Sequence, residues 1–140
     1  MDDAGGLAER IVNQAGDAII FADRTGTIRR WSSGAAALFG FPAEEALGQR
    51  LDLIVPERMR AAHWRGFDAA MANGALRLSG RPTLTRAQRK DGSKLYVEMT
   101  FSLVMDRGSV EGSVAVARDA TERVERERAA AGDPRPAAPG

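Results

Sequence analysis

The sequence predicts an α+β domain, with five strands and with helices packed on one face of the sheet. Three observations predict this class. The strand-like segments form two groups, one of two near the N-terminus and one of three near the C-terminus. The helical segments lie between these groups, and short turn sequences join the strands within each group. A length of 140 residues suits a single domain with one core.

The chain begins with a predicted helix and a predicted hairpin. Leu7, Ile11 and Val12 lie on one side of a helix at about residues 6–15, and we assign 1–16 to an N-terminal cap helix. Residues 18–21 and 27–31 are rich in strand-forming side chains, and the sequence DRTG between them is typical of a turn. The main domain is expected to span 17–118.

Short helices are predicted next. Ser32 or Ser33 caps a helix that Gly40 ends, and Pro42 starts a further single turn. The sequence LDLIVP is expected to be a connector. The longest helix is predicted over 57–73, where Pro56–Glu57 begins it and Asn73–Gly74 ends it.

The remaining segments predict three strands, an exit helix and a tail. Strands are expected at 83–89, 95–105 and 110–118, joined by the turn sequences KDGS and DRGS. An exposed exit helix is predicted at 119–131, because its apolar content is too low for a core helix. A disordered tail is predicted at 132–140, where Pro, Ala and Gly predominate.

Composition excludes several classes of function. The net charge is +1, which gives no basic face for nucleic acid or a membrane surface. The chain has no cysteine, so disulfides, thiolate metal sites and cysteinyl–flavin photochemistry are excluded. No credible catalytic triad or phosphate loop is present, and we expect no enzyme activity. The N-terminus lacks a secretory signal and no apolar run reaches membrane-spanning length, so we expect a cytoplasmic location.

The single histidine, His63, lies on the apolar side of the longest predicted helix. Met59, His63 and Phe67 follow each other at four-residue spacing, which places them on one helix face. A buried ring nitrogen without a partner costs about 1–3 kcal/mol, and binding to a metal would satisfy it. The alternative is a core histidine whose ring nitrogens form hydrogen bonds within the protein. The neighbouring Trp64 is interpreted as a surface or dimer-contact aromatic.

The order of elements, together with several stretches of sequence, resembles a PAS domain. The matching stretches are DAIIFADRTGTIRRWSSGAAALFGFPAEEALGQ, IVPERMR, QRKDGSKLYVEMTFS and GSVAVARDATERVERE. The resemblance spans about residues 7–127. It implies the PAS fold, a five-stranded antiparallel sheet with a ligand cavity between the sheet and the helices, but no particular ligand.

A narrower resemblance concerns the stretch VPERMRAAHWRGF. It is similar to the proximal helix of FixL-type oxygen sensors, whose PAS domain holds b-type haem. This resemblance implies that His63 is the axial ligand and that Arg77 contacts a haem propionate. Thr83 occupies the position of the arginine that binds oxygen in that family, and Arg81 is a second candidate above the distal side. Ala69 occupies the position of a second propionate arginine.

The same resemblance suggests which residues surround the cofactor. The distal wall would be the inner face of the later strands and the loop before them. Met99 is also a candidate iron ligand, although methionine is more often a flexible core residue. The full set of expected cofactor-binding residues is His63, Arg77, Met59, Phe67, Leu78, Val97, Met99, Phe101, Arg81 and Thr83.

Two functions from different classes follow. The first is a haem b sensor that detects a diatomic gas (O2, CO or NO) or a redox state and signals through its C-terminal helix to an effector domain, a signalling partner or a homodimer mate. The second is a cofactor-free PAS module for dimerisation, protein interaction or binding of a small metabolite. Non-covalent flavin binding is a third, weaker hypothesis.

Overall fold

Five antiparallel strands form one sheet, in the order β2-β1-β5-β4-β3, in this computed structural model. The structure describes residues 3–75 and 81–132. The strands are β1 (Ala18–Asp23), β2 (Ile28–Trp31), β3 (Thr83–Gln88), β4 (Lys94–Asp106) and β5 (Ser109–Asp119). The predicted α+β class and its five-stranded antiparallel sheet are confirmed, and each predicted strand lies within three residues of its expected ends.

The helices largely follow the sequence prediction. They are α1 (Asp3–Gln14), α2 (Ser33–Phe39), α3 (Ala43–Ala46), α4 (Arg60–Asn73) and α5 (Thr121–Ala130). Two 3₁₀ turns, Leu51–Ile54 and Glu57–Met59, precede α4. The first replaces part of the expected connector. The second forms the first turn of the predicted 57–73 helix, since helix ends often tighten into 3₁₀ geometry. No helix in the described ranges is both long and apolar enough to cross a membrane.

Local chemistry explains where the elements begin and end. The Ser32 hydroxyl caps α2, accepting hydrogen bonds from the Ala35 amide at 3.1 Å and the Ile19 amide at 2.9 Å. Gly74 ends α4 with φ of 68°, a left-handed conformation that glycine adopts without steric cost. Arg107 and Gly108, both with positive φ, form the tight β4–β5 turn that a two-residue hairpin requires.

The core lies between the inner face of the sheet and the helices α2 to α4. Ile20, Leu95 and Val97 are fully or almost fully buried there. Trp31 and Phe39 pack together with ring centroids 5.6 Å apart. The indole Nε1 of Trp31 donates to the Phe41 carbonyl at 2.8 Å, which satisfies the polar end of a buried ring.

The exit helix is mostly exposed, as predicted, but it also has one buried side chain. Val124 is buried with Ala120 and Tyr96 in a second small core, so α5 packs on the sheet. The Thr121 hydroxyl accepts from the Tyr96 amide at 3.0 Å, and Arg123 pairs with Glu98 at 3.0 Å. One apolar side chain and two polar contacts are enough to dock this mostly charged helix. All but Gly132 of the predicted tail lies outside the described residues.

The β1–β2 turn is organised around Asp23. Its carboxylate accepts from the Thr25 amide and hydroxyl, the Thr27 amide and the Arg29 guanidinium. Burial alone would raise the pKa of Asp23, but the hydrogen bonds from Thr25 and Arg29 outweigh burial and lower the pKa to about 2. The charged carboxylate therefore stabilises the turn at neutral pH.

We expect Asp23→Asn to lower the free energy of unfolding by about 2 kcal/mol at pH 7. Because the folded-state pKa is depressed, this stabilisation is present above the ordinary value of 3.8 and is lost as the pH falls towards 2. The difference between the wild type and Asp23→Asn should therefore shrink from pH 5 to pH 2.5. Urea unfolding at several pH values measures it, and a difference independent of pH would contradict this role.

Candidate functional site

A cavity of about 440 Å³ lies between α4 and the inner face of the sheet. Helix α4 supplies one wall, the 3₁₀ turns close one end, and strands β1, β3, β4 and β5 supply the opposite wall. Its lining residues include Ile20, Leu51, Ile54, Met59, Ala62, His63, Thr83, Thr85, Met99, Phe101, Ser113 and Ala115. This volume lies within the range of small-molecule sites, and the walls are mostly apolar.

A second cleft of about 490 Å³ continues from this cavity along α4. The two spaces share Ala62, His63, Thr83, Phe101 and Ser113. Small residues on α4, namely Gly66, Ala69 and Ala70, line the second cleft. His63 therefore stands where the two spaces join, and the small side chains beside it leave room for a large flat ligand.

The structure brings most of the sequence-predicted site residues to these walls. Met59 and Met99 line the first cavity, Phe67 and Arg81 line the second cleft, and His63, Thr83 and Phe101 line both. Val97 shares the inner face of β4 with Met99 and Phe101, as the period of two requires, but it is fully buried in the core and does not line either space. Arg77 and Leu78 lie outside the described residues.

His63 has a buried ring nitrogen without a protein partner. Its Nδ1 atom has no hydrogen bond to any described residue. The ring lies edge-to-face with Trp64, with centroids 4.7 Å apart, and stacks at 6.1 Å from Phe67. Aromatic contacts thus hold the imidazole in place, but its Nδ1 atom has no hydrogen-bond partner among the described residues. In the alternative interpretation, the protein core supplies hydrogen-bond partners to the imidazole. The described residues supply none to Nδ1, so this interpretation is not supported.

Burial lowers the pKa of His63 below its ordinary value of 6.5. The negative charges of Asp52 and Asp68 raise the pKa but do not cancel the effect of burial, and the positive charge of Arg50 lowers the pKa further. The imidazole is therefore neutral at physiological pH. Neutral imidazole is the form that binds a metal.

We expect the stability of the protein without added ligand to decrease as the pH falls below 6.5. The unfolded chain binds a proton to His63 at a higher pH than the folded chain, so unfolding gains protons between the folded-state pKa and 6.5. The contribution of neutral His63 to the free energy of unfolding is complete above pH 6.5 and is lost progressively as the pH falls below that value. Urea unfolding between pH 7.5 and 5 measures this, and His63→Gln should remove this part of the pH dependence. An identical slope in both proteins would contradict it.

Trp64 is not the surface aromatic that its sequence position indicated. Its indole Nε1 donates to the Asp52 carboxylate at 2.6 Å, and the Arg50 guanidinium lies 4.2 Å from the ring centroid. The far edge of the ring approaches the β1–β2 turn so closely that a Cβ at Gly26 would lie 2.3 Å from it. The indole therefore ties α4 to the turn and fixes the backbone beside His63.

These residues fit a haem group. The joined spaces beside α4 offer room for a large flat ligand. Haem iron binds a neutral imidazole, and His63 has a buried nitrogen that no described residue contacts by a hydrogen bond. Within the described residues no three side chains of His, Asp or Glu lie together as a metal site.

Two hydroxyl-bearing residues of the site were not identified from the sequence. Ser113 is 94% buried on the inner face of β5 and lines both spaces, and Thr85 lines the first cavity. The signal for Ser113 was its alternation with Ala115 and Ala117, which places all three on one face. Asp52, the partner of Trp64, had no signal, because only the folded chain brings the 3₁₀ turn beside α4.

Comparison with known proteins places most of the chain in one family. The family model described as the PAS fold matches residues 6–120. Two-component system protein A of Emericella nidulans is 31% identical over 112 residues, covering 79% of this chain and 16% of the relative. The oxygen sensor protein DosP of Escherichia coli is 30% identical over 91 residues, covering 65% and 11%. Sensor protein FixL of Bradyrhizobium diazoefficiens is 27% identical over 112 residues, covering 80% and 22%.

Solved structures agree on the architecture. A PAS domain from Colwellia psychrerythraea superposes with a TM-score of 0.73 at 23% identity, covering 87% of this chain and all of that chain. An RNA-binding light-oxygen-voltage receptor superposes with a TM-score of 0.71 at 28% identity, covering 91% and 36%. The chain spans less than a quarter of the length of the curated relatives named above. Because this family model covers most of the chain and the sheet has the matching architecture, the chain belongs to the PAS family of sensor domains.

Proposed function

We propose that this PAS domain binds haem b through His63, detects a diatomic gas (O2, CO or NO) or a redox state, and signals through its C-terminal helix without catalysing a reaction. One observation carries the proposal. The only imidazole of the chain stands where two connected spaces meet, and its buried Nδ1 has no partner among the described residues. The resemblance to FixL-type sensors and the match to an oxygen sensor protein support it.

Haem, when bound, supplies an iron atom with a coordination position open to a diatomic gas. His63 would hold it from α4, with Phe67 stacked behind the imidazole. Met99 and Phe101 would form an apolar wall that keeps water away from the bound gas. Arg77 stays a predicted propionate contact.

Thr83, Thr85 and Ser113 are the hydroxyl-bearing residues that the sheet brings to the same space. The Thr83 hydroxyl already donates to the Met99 carbonyl at 3.4 Å, a long hydrogen bond. Ser113, buried and on the neighbouring strand, is therefore the better donor to a bound gas. O2 becomes a stronger hydrogen-bond acceptor than CO once it is bound, so these hydroxyls would favour O2.

We expect Ser113→Ala to increase the O2 dissociation rate about threefold to tenfold, because one hydrogen bond contributes about 0.5–1.5 kcal/mol. The CO dissociation rate should change less. Stopped-flow or flash photolysis measures both rates. The matched control is Ser102→Ala, since Ser102 lies on the opposite face of the sheet. Equal O2 rates in the wild type and in Ser113→Ala would contradict the role of Ser113.

Strand β4 offers a route from the cavity to the exit helix. Met99 of β4 lines the cavity, while Tyr96 and Glu98 of the same strand contact Thr121 and Arg123 of α5. If the domain has two conformations that differ in β4, a gas that binds one of them more tightly increases its population. Helix α5 would change position with β4, because it contacts this strand. An effector region, a separate partner or a second copy of the chain would respond to α5. Leu7 and Ile11, exposed on α1, are further candidates for a dimer contact.

A cofactor-free role in dimerisation, protein interaction or metabolite binding is the second candidate. The apolar cavity with three hydroxyl-bearing residues favours a small apolar metabolite within this class. The likeness to a light-oxygen-voltage receptor makes flavin a further ligand to test, in a non-covalent form because the chain has no cysteine.

Absorption spectra of the purified protein decide between these functions. We expect a haem Soret band, or its appearance with one equivalent of added hemin. A yellow protein with a flavin spectrum would favour flavin. A colourless protein that takes up no hemin would overturn the proposal and leave the cofactor-free role.

A further inference from the structure

A surface groove of about 640 Å³ lies against the outside of the cavity wall. It runs between the 3₁₀ turn before α4 and the edge of the sheet at β3 and the start of β4. Three residues, Arg58, Arg86 and Ala87, line both the groove and the internal cavity. The two spaces therefore adjoin at these residues, on either side of the edge strand β3, and a ligand longer than the cavity would extend past them into the groove.

The groove is strongly basic. Arg58, Arg86 and Lys94 line it, against the single carboxylate of Glu57. Burial lowers the pKa of Lys94, and the positive charges of Arg86 and Arg58 lower it further, which shows that the three cations are close enough to repel each other. Such crowding destabilises the folded protein unless an anion compensates it.

Two of these cations have no ion pair among the described residues. Most basic side chains along the sheet have a carboxylate partner, as in the pairs Arg29–Asp23, Arg89–Asp119, Lys90–Glu45, Arg118–Asp17 and Arg123–Glu98. Neither Arg86 nor Lys94 forms such a pair within the described ranges. The difference marks Arg86 and Lys94 as two positive charges that no carboxylate of the described residues pairs with.

Arg86 also carries a buried donor without an acceptor. Its guanidinium carbon lies 5.3 Å from the centroid of the Tyr96 ring, which orients the group, and its Nε has no hydrogen-bond partner in the described protein. A guanidinium held by an aromatic face and left with unused donors is suited to binding a carboxylate or a phosphate.

We propose that this groove binds the anionic end of the ligand whose apolar part fills the cavity. The ligand class is therefore an apolar ring system or chain that carries a carboxylate or a similar anionic group at one edge. The inference rests on the proposed function only in that the cavity holds a ligand. Iron and His63 are not needed for it, so each proposal can fail without the other.

A pair of fluorescent dyes tests the inference without haem. Anilinonaphthalene sulfonate has an apolar ring system and an anionic group, whereas Nile red is apolar and uncharged. We compare the wild type with the double variant Arg86→Gln/Lys94→Gln. The control with the same charge change is Arg65→Gln/Arg10→Gln, whose two positions are exposed and form no ion pair within the described residues.

We expect the groove variant to bind the sulfonate dye about 25-fold more weakly, because each ion contact at a partly exposed site contributes up to about fivefold in affinity. Binding of Nile red should be unchanged, and the control variant should bind both dyes like the wild type. The proposal is overturned if the wild type does not bind the sulfonate dye, if both double variants bind it equally, or if the groove variant loses both dyes in parallel.

A second arm uses hemin and its dimethyl ester, which differ only in their two carboxylates. If hemin binds, the wild type should prefer it to the ester, and the groove variant should lose that preference. An equal preference in the wild type and the groove variant would overturn the inference for haem as the ligand. A protein that binds the sulfonate dye at this groove but takes up no hemin would overturn the haem proposal and support this one.

Discussion

The His63→Ala variant is expected to lose haem binding, with hemin affinity reduced more than about 100-fold. Removing residues that merely support a metal ligand typically costs 10–100-fold, and removing the ligand itself costs more. No second histidine is present to replace it. Titration of the purified variant with hemin, followed at the Soret band, measures the loss.

The same variant should remain folded. Alanine removes a half-buried ring and leaves a void, but it also removes the unpartnered Nδ1, whose burial costs about 1–3 kcal/mol. These two effects oppose each other, so the melting temperature should change by only a few degrees. Added imidazole, which can occupy the void, should restore part of the Soret band. A variant that holds a normal amount of haem with an unchanged spectrum would show that His63 is not the ligand.

The Trp64→Ala variant is expected to lower the free energy of unfolding by about 3 kcal/mol, at the lower end for a large aromatic because the ring is only half-buried. It removes ring contacts with His63 and Phe67, at 4.7 Å and 5.4 Å, and the cation–π contact with Arg50. It also leaves the Asp52 carboxylate without its 2.6 Å hydrogen bond. Urea unfolding measures the change.

Trp64→Phe is the matched control for the hydrogen bond. It keeps an aromatic ring beside His63 but loses the indole donor, so a cost of about 1 kcal/mol is expected. If Trp64→Ala costs less than Trp64→Phe, or if neither variant changes stability, the indole does not tie α4 to the β1–β2 turn. In that case Trp64 would be the surface or dimer-contact aromatic that the sequence suggested.

The arrangement around Gly26 shows why sequence reasoning misplaced Trp64. On α4 alone, the helical period places Trp64 beside the His63 face and towards solvent. In the fold the β1–β2 turn approaches that side, and Gly26, with φ of 80° and no side chain, makes space for the indole. Contact between segments 38 residues apart leaves no periodic signal within α4.

The exit helix illustrates the same limit in another way. Its low apolar content correctly indicated a mostly exposed helix, since Glu122, Arg123 and Arg126 are charged and accessible. Yet one valine, Val124, meets Tyr96 on the outer face of β4 and anchors the helix. Whether a single apolar residue finds a partner depends on the direction in which the chain leaves β5, and composition carries no information about that direction.

The sequence by itself determined the fold class, the order of its elements, the ends of its strands to within three residues and the shared face of Met59, His63 and Phe67. These features depend on local chemistry, namely side-chain periodicity, caps and turn residues, which act over a few positions. Only the tertiary structure decided the position of His63 at the junction of two spaces, the Trp64–Asp52 contact and the buried Ser113. It also decided that Arg86 and Lys94 have no ion pair among the described residues. Each of these results from segments far apart in the chain that meet across the sheet, so their burial, charge and partners are properties of the folded protein.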